Sequence, residues 1–311
     1  MPFAVGGNSR IRTNIAAQNA FNALDVSSKD ISLRQLRLST GKRINNAADD
    51  VAGYITSRAL QARNGSLKAS LKAVGDAQNT SYIIMDSLES IADLLNEIKN
   101  QTAIAASGAQ GTAEKVALAK AAGRLVEQIQ TVVDSTVFAG RQLIDGTFSA
   151  DFIVGSNAVN DLLTLDLDLT PTNIDFNVES NDFNLNSLNY GSFSGVTNLD
   201  MTLFNEVSAT DLGIFSRNNI ASTLTSLADA IENVNKVASY VGGIVNRLNT
   251  QETIINSQVV NYNTAISRIE DADVALEQLQ LVKSQFLQSA SLTSLAQANA
   301  NPQAFLQLLQ G

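Results

Sequence analysis

Apolar residues recur every seven positions near both ends of this 311-residue chain, and no such column runs through its middle. A stripe this narrow is typical of helices that pack along one another rather than on a globular surface. About 210 residues separate the two columns, so we expect the chain to double back and pair its ends as a long antiparallel coiled coil. The N-terminal column holds Leu24, Ile31 and Leu38, and the C-terminal column holds Leu248, Ile255, Tyr262, Ile269 and Leu276.

Helical periodicity predicts four long helices, over residues 13–39, 51–105, 112–137 and 218–298. Gly41 predicts the end of the first helix, because glycine adopts left-handed backbone angles at little cost, and Asp49 or Asp50 is a suitable cap for the second. At about 1.5 Å per residue the last helix would span roughly 120 Å, which a single compact domain cannot bury. The predicted fold is therefore mainly α, a helical-bundle rod formed by both chain ends.

The spacing of apolar residues changes from helical to alternating after Gly140. Between residues 163 and 169, leucine alternates with threonine and aspartate, which predicts a half-buried strand with Asp166 and Asp168 on its solvent-exposed face. Residues 152–154, 176–178 and 197–203 also read as short strands. We therefore expect a small β-rich insertion with an outer segment at 159–212, and we expect that 160–212 can be deleted without loss of the assembly that the helical ends form.

Charge is concentrated in the same part of the chain. The net charge is −9, and residues 145–216 hold 11 Asp and Glu but no Lys or Arg. Such a segment repels nucleic acid, so no nucleic-acid partner is predicted. No apolar run reaches the roughly 18 residues of a membrane span. Residues 1–10 lack the basic and apolar regions of a cleavable secretory signal.

The residue types restrict catalytic chemistry severely. The chain contains no His and no Cys, which removes thiolate zinc sites, disulfides and most nucleophile–base pairs. Asp49-Asp50 and the group Glu270, Asp271 and Asp273 are the densest carboxylate clusters in the helical parts. Carboxylate pairs can bind a cation or transfer protons, but helix capping and solvated helix faces explain both clusters better. We therefore predict no enzyme activity, no metal site and no cofactor.

Several stretches, in order and spacing, resemble bacterial flagellins. The segment 38–53 (LSTGKRINNAADDVAG) is similar to the N-terminal signature of that family, and 136–146 and 152–157 to the turn and strand that follow its helices. Segments 241–248 and 267–273 (SRIEDAD) resemble the C-terminal signature, and 295–309 the closing motif. The positions that carry the resemblance include Arg43, Asn45, Asp49, Asp50, Arg268, Glu270, Asp271, Gln297, Asn299 and Pro302.

This resemblance implies a layered subunit of an extracellular bacterial flagellar filament that serves motility. Residues 1–43 and 272–311 would form the coiled-coil inner domain, 44–158 and 213–271 the helical rod domain with a β-hairpin, and 159–212 the variable acidic outer segment. It also implies secretion of the unfolded chain through the flagellar type III apparatus. The implied partners are further copies of the chain, hook-associated and cap proteins, and an export chaperone at the C-terminal end.

Two other classes share some of these features. A hook–filament junction protein has similar helical ends, but the closing motif and residues 268–273 favour a flagellin. A secreted coiled-coil adhesin would lack the paired terminal signatures. The metalloprotease insertion of some flagellins needs a His-Glu-x-x-His helix, and this chain has no histidine. Glu97 and Gln101 stand where flagellins detected by the animal flagellin receptor carry Arg and Leu, which argues against such recognition.

Overall fold

A computed structural model describes residues 13–155, 162–168, 193, 196 and 199–310, with the backbone alone for 168 and 301–310. Over these residues the chain is mainly helical, as predicted. The helices are α1 (Ile15–Thr40), α2 (Val51–Ala106), α3 (Thr112–Ser135), α4 (Leu203–Glu206), α5 (Ile220–Glu270) and α6 (Val274–Gln310). The strands are β1 (Val137–Phe138), β2 (Arg141–Gln142), β3 (Thr147–Ile153) and β4 (Leu162–Asp168), and a 3₁₀ turn covers Gly213–Phe215.

The capping residues define the ends of α1 and the start of α2. The Asn14 side-chain carbonyl accepts a hydrogen bond from Ala17 N at 3.0 Å at the start of α1. Gly41 ends the helix with φ of 68°, the left-handed angle that its sequence position predicts. Asp50 caps α2 by accepting from Gly53 N at 2.9 Å. Asp49 instead caps the preceding turn, accepting from Asn45 N and Asn46 N, both at 2.9 Å.

The predicted continuous helix over 218–298 is wrong, because the chain breaks between α5 and α6. Asp271 leaves the helix and pairs with Lys42 in an isolated antiparallel bridge. Asp273 then caps α6 by accepting from Ala275 N at 3.0 Å and from Leu276 N at 3.1 Å. The break shifts the phase of the helix, so Leu276 is 55% exposed while Glu277 is 5% exposed. The seven-residue column therefore does not continue inward through α6.

The chain forms two compact units. The first contains Met1–Asn64 with Val260–Gly311, and the second contains Gly65–Val259. In the first unit α1 packs along α6, so the chain ends pair with each other as predicted. The partner of the N-terminal column is nevertheless α6 and not residues 248–269, which lie in α5. Leu248 and Ile255, at 0% and 1% exposure, belong to the core of the second unit.

The core of the second unit is lined by one face of α2. Five fully buried side chains of this helix recur at alternating steps of four and three, the spacing of an inward helical face. Leu88 of α2, Leu167 of β4 and Val237 of α5 line one small cavity, so the three elements meet there. The five α2 residues are Ile84, Leu88, Ile91, Leu95 and Ile98.

Two antiparallel hairpins follow α3. β1 pairs with β2 across a two-residue turn in which Ala139 and Gly140 have φ of 50° and 81°, as a tight hairpin with right-handed strand twist requires. β3 pairs with β4, with Phe148 opposite Leu167. Leucines 163, 165 and 167 of β4 are buried, which confirms the predicted alternation. Leu169 and the strand predicted at 176–178 lie outside the described residues.

The strand predicted at 197–203 is also wrong over the residues that are described. Asp200 accepts a hydrogen bond from Thr202 N at 3.0 Å, which turns the chain before α4 begins at Leu203. Phe204 and Phe215 then pack edge to face, with ring centroids 5.7 Å apart and an interplanar angle of 83°. Other buried side chains of this region are Phe193, Val196, Leu199, Met201 and Val207.

This aromatic cluster contacts the helical frame through α4, which packs against α3. The approach is close at Gly123, where an added Cβ would collide with Oδ1 of Asn205. The Asn205 amide also donates to the Glu127 carboxylate at 3.2 Å. The segment before α5 therefore covers part of α3, and the expectation that 160–212 can be deleted without loss of assembly stays a prediction.

Candidate assembly surface

Over the described residues, no helix is long and apolar enough to cross a membrane. No group of three or more acidic side chains is arranged to hold a metal ion in the same parts of the chain. The features that remain for function are the surfaces of the paired terminal helices and the junction beside them. Both lie within the first compact unit.

The terminal helices run antiparallel over nearly the whole length of α1. At one end the Asn14 amide donates to Ala298 O at 2.8 Å, and at the other Arg34 donates to Glu277 at 2.8 Å. These two contacts are 20 residues apart on α1 and 21 apart on α6. The two helices therefore keep nearly the same register along their whole contact.

Glu277 is the ionic centre of this helix pair. Its two carboxylate oxygens accept from Nη1 of Arg34 at 2.8 Å and from Nη1 of Arg37 at 3.2 Å. Burial opposes ionisation of Glu277, but the hydrogen bonds and positive charges of the two arginines outweigh it and hold its pKa below the usual 4.5. Glu277 was missed as a functional candidate, because its burial depends on partners about 240 residues away in the sequence.

The break between α1 and α2 lies beside the break between α5 and α6. The backbone joins them through Arg43 N to Glu270 O at 2.6 Å and Ala272 N to Gly41 O at 2.9 Å. The buried Glu270 carboxylate accepts from Lys42 Nζ at 2.7 Å and from the Gln61 amide at 2.5 Å. These contacts fix the two chain reversals against each other.

The signature residues predicted from the sequence fall into two groups. Arg43 donates to Ile269 O at 2.7 Å, and Asp49 and Asp50 cap the turn and helix that follow it, so the first group meets at this junction. Backbone N–H groups of Asn46 and Asn45 lower the pKa of Asp49 by stabilising its ionised form. In the second group, Arg268 is an exposed residue of α5, and Gln297, Asn299 and Pro302 lie along α6.

The residues of the seven-spaced columns differ widely in burial. Leu24, Ile31 and Leu38 are half-buried on α1, as are Tyr262 and Ile269 on α5. Leu248 and Ile255 are buried, and Leu276 is exposed. Their role as packing seams in assembly stays a prediction.

The outward faces of α1 and α6 carry many large apolar side chains that nothing in the described chain covers. Phe286 is 73% exposed, Leu279 61% and Phe21 59%. A large exposed apolar area of this kind marks a surface that binds another molecule. We call it the assembly surface, and it consists of Ile15, Phe21, Val26, Leu36, Val274, Leu276, Leu279, Val282, Phe286, Leu287 and Leu292.

Paired chain ends with an uncovered apolar face are typical of a chain that assembles with other molecules. Comparison with known families agrees: residues 11–149 match the bacterial flagellin N-terminal helical region, and residues 224–309 match the bacterial flagellin C-terminal helical region. The chain belongs to the bacterial flagellin family. It is a structural subunit that polymerises into the extracellular flagellar filament, and it is not an enzyme, which confirms the interpretation drawn from the signature stretches.

Individual flagellin sequences match over nearly the full length of both chains. The flagellin of Bacillus subtilis strain 168 is 28% identical over 314 residues, which cover 97% of this chain and all of that one. The flagellin of Listeria monocytogenes is 23% identical, over 96% of this chain and 99% of that one. A crystal structure of Bacillus cereus flagellin aligns at 23% identity with a TM-score of 0.43, over 63% of this chain and 94% of that one.

Proposed function

We propose that this flagellin polymerises through the assembly surface, after secretion through the flagellar type III apparatus. The observation that carries the proposal is the uncovered apolar face of α1 and α6. Side chains such as Val274 and Phe286, at 60% and 73% exposure, are stabilised by transfer out of water, and neighbouring copies of the chain can cover them through head-to-tail contacts, which extend into a filament.

The proposed layers follow the two breaks in the chain. Residues 1–43 and 272–311 form the inner domain, 44–158 and 213–271 the helical rod domain, and 159–212 the outer segment. Support comes from Gly41, which ends α1, and from the break at 271–273, since both lie within a few residues of the proposed borders. Within this scheme Leu24, Ile31, Leu38 and the C-terminal column supply packing contacts.

The partners proposed for the ends of the filament follow from the same surface. A terminal subunit of a helical polymer lacks neighbours on one side, so hook-associated and cap proteins would cover the apolar side chains left there. An export chaperone at the C-terminal end would cover the exposed apolar residues of α6, such as Leu279 and Phe286, before secretion. Masking of this kind keeps free subunits from associating too early.

Seeded polymerisation of the purified chain, followed by electron microscopy, tests the proposal. Leu276→Asp places a charge in the assembly surface at a side chain that is already 55% exposed in the single chain. We expect filaments to fail while the helical content of the soluble chain is kept. Filaments formed by the unsubstituted chain alone also separate this function from that of a hook–filament junction protein.

Gln278→Asp is the matched control, because it adds the same charge at the exposed polar position two residues further along α6. Filaments should form from this variant at nearly normal yield. Normal filament yield from Leu276→Asp, or equal failure of both variants, would contradict an apolar contact at this face.

A further inference from the structure

The inward face of the terminal helix pair is poor in large apolar side chains. The buried residue of α1 is Ser27, at 7% exposure. The buried described residues of α6 are Glu277, Leu281, Ser284 and Ala298. Leu281 is a large apolar side chain that is buried on this face, while its buried neighbours are small or polar, so packing opposes sliding by whole turns only weakly. Packing alone therefore does not determine how α1 and α6 align.

Ionic contacts distinguish one alignment from the others. Glu277 of α6 is buried against α1, and its two carboxylate oxygens accept hydrogen bonds from Arg34 and Arg37 of α1. Their side chains are themselves only 23% and 16% exposed. A buried carboxylate that loses its partners is strongly destabilising, so any alignment that separates these three groups is disfavoured.

We propose that Glu277 acts together with the backbone bonds of the junction to set the register of the two chain ends, and that it is the side chain that determines the specificity of their pairing. A shift of α6 by seven residues keeps the same helical face inward. It brings Ser284 level with Arg34 and carries Glu277 beyond Arg37, leaving two guanidinium groups without a carboxylate. This proposal deepens the proposed function, because the register fixes which apolar side chains of α1 and α6 lie together on the assembly surface.

Disulfide trapping measures the register directly, because the chain has no cysteine of its own. The contacts at Asn14 and Arg34 place Ser27 level with Ser284. Ser27→Cys with Ser284→Cys therefore reports the observed register, and Ser27→Cys with Ser291→Cys reports a shift of seven residues. Each full-length variant is co-assembled with a roughly tenfold excess of unsubstituted chain, so that disulfides form within one chain. The filaments are then oxidised, and the yields of the two disulfides are compared on a gel.

In the unsubstituted background we expect the 27–284 bond to exceed the 27–291 bond at least about tenfold. Glu277→Gln removes the charge with little change in shape, and we expect the ratio to fall by about tenfold. Charge reversal, with Arg34→Glu, Arg37→Glu and Glu277→Arg together, should restore it. The matched control Asp25→Asn breaks an exposed ion pair with Lys29 on the same helix and should leave the ratio unchanged.

The proposal is overturned if Glu277→Gln leaves the ratio unchanged, or if charge reversal does not restore it. If the Glu277→Gln chain does not enter the filaments but the charge-reversed chain does, the proposal is supported. If neither chain enters the filaments, the proposal is overturned. Failure of the unsubstituted chain to polymerise refutes the proposed function instead. The disulfide ratio is then read on the soluble chain, so the two failures remain distinct.

Discussion

Phe286 offers a quantitative test of the assembly surface. Complete burial of such a side chain contributes about 1.5–3 kcal/mol, and Phe286 is 73% exposed in the single chain. A neighbouring subunit that covers the exposed part would therefore contribute about 1–2 kcal/mol through this residue. Phe286→Ala should raise the free-subunit concentration in equilibrium with filaments by a factor of about 5–30.

The assay is the concentration of soluble chain that remains after seeded polymerisation and sedimentation. Thermal unfolding of the free chain should be nearly unchanged by Phe286→Ala, since the ring contributes little within the single chain. The matched control is Phe204→Ala, which removes a fully buried ring and should destabilise the free chain by about 3–5 kcal/mol. An unaltered soluble concentration for Phe286→Ala would refute burial of this ring between subunits.

Three further predictions concern the folded chain. Gly123→Ala places a Cβ against the exposed amide of Asn205, which must turn away from Glu127, so we expect a loss of about 0.5–1.5 kcal/mol in calorimetry and none in an Asn205→Ala background. Because the folded-state pKa of Glu277 is lowered, its contribution is present above pH 4.5 and is lost as the pH falls through that lowered value. Amide exchange of α1 should therefore accelerate in acid, and Glu277→Gln should show a weaker pH dependence. Deletion of 160–212 removes the buried leucines of β4 and the ring of Phe204, each worth about 1.5–3 kcal/mol, so the melting temperature of the free chain should fall markedly. An unchanged melting temperature would show that these buried side chains contribute little to the stability of the free chain.

Local chemistry explains which parts of the fold could be predicted. The left-handed glycine at 41, the cap at Asp50 and the alternating leucines of β4 act within a few residues of their own position. The sequence therefore specifies them without knowledge of distant contacts. The flagellin signatures identified the family for the same reason, since they are short continuous stretches near both ends.

The sequence-based predictions failed where contacts between distant residues override the local pattern of apolar residues. Helical periodicity continues through 271–273, but the backbone pairing of Ala272 with Gly41 takes the chain out of the helix there. The group Glu270, Asp271 and Asp273 was interpreted as capping or solvated carboxylates. That is correct for Asp273, whereas Glu270 is buried against Lys42 and Gln61. Such partners cannot be assigned from composition or spacing.

Many apolar side chains of the terminal helix pair are not buried within the single chain. The stability of the folded chain ends therefore depends on the concentration of free subunits. Helices that leave Phe21 and Phe286 in water gain further stability when neighbours bind, and that gain follows mass action. Each tenfold dilution of free subunits lowers the stability gained by binding by about 1.4 kcal/mol. A subunit at the tip of a filament has fewer neighbours than one inside it, so its chain ends are the first to loosen on dilution.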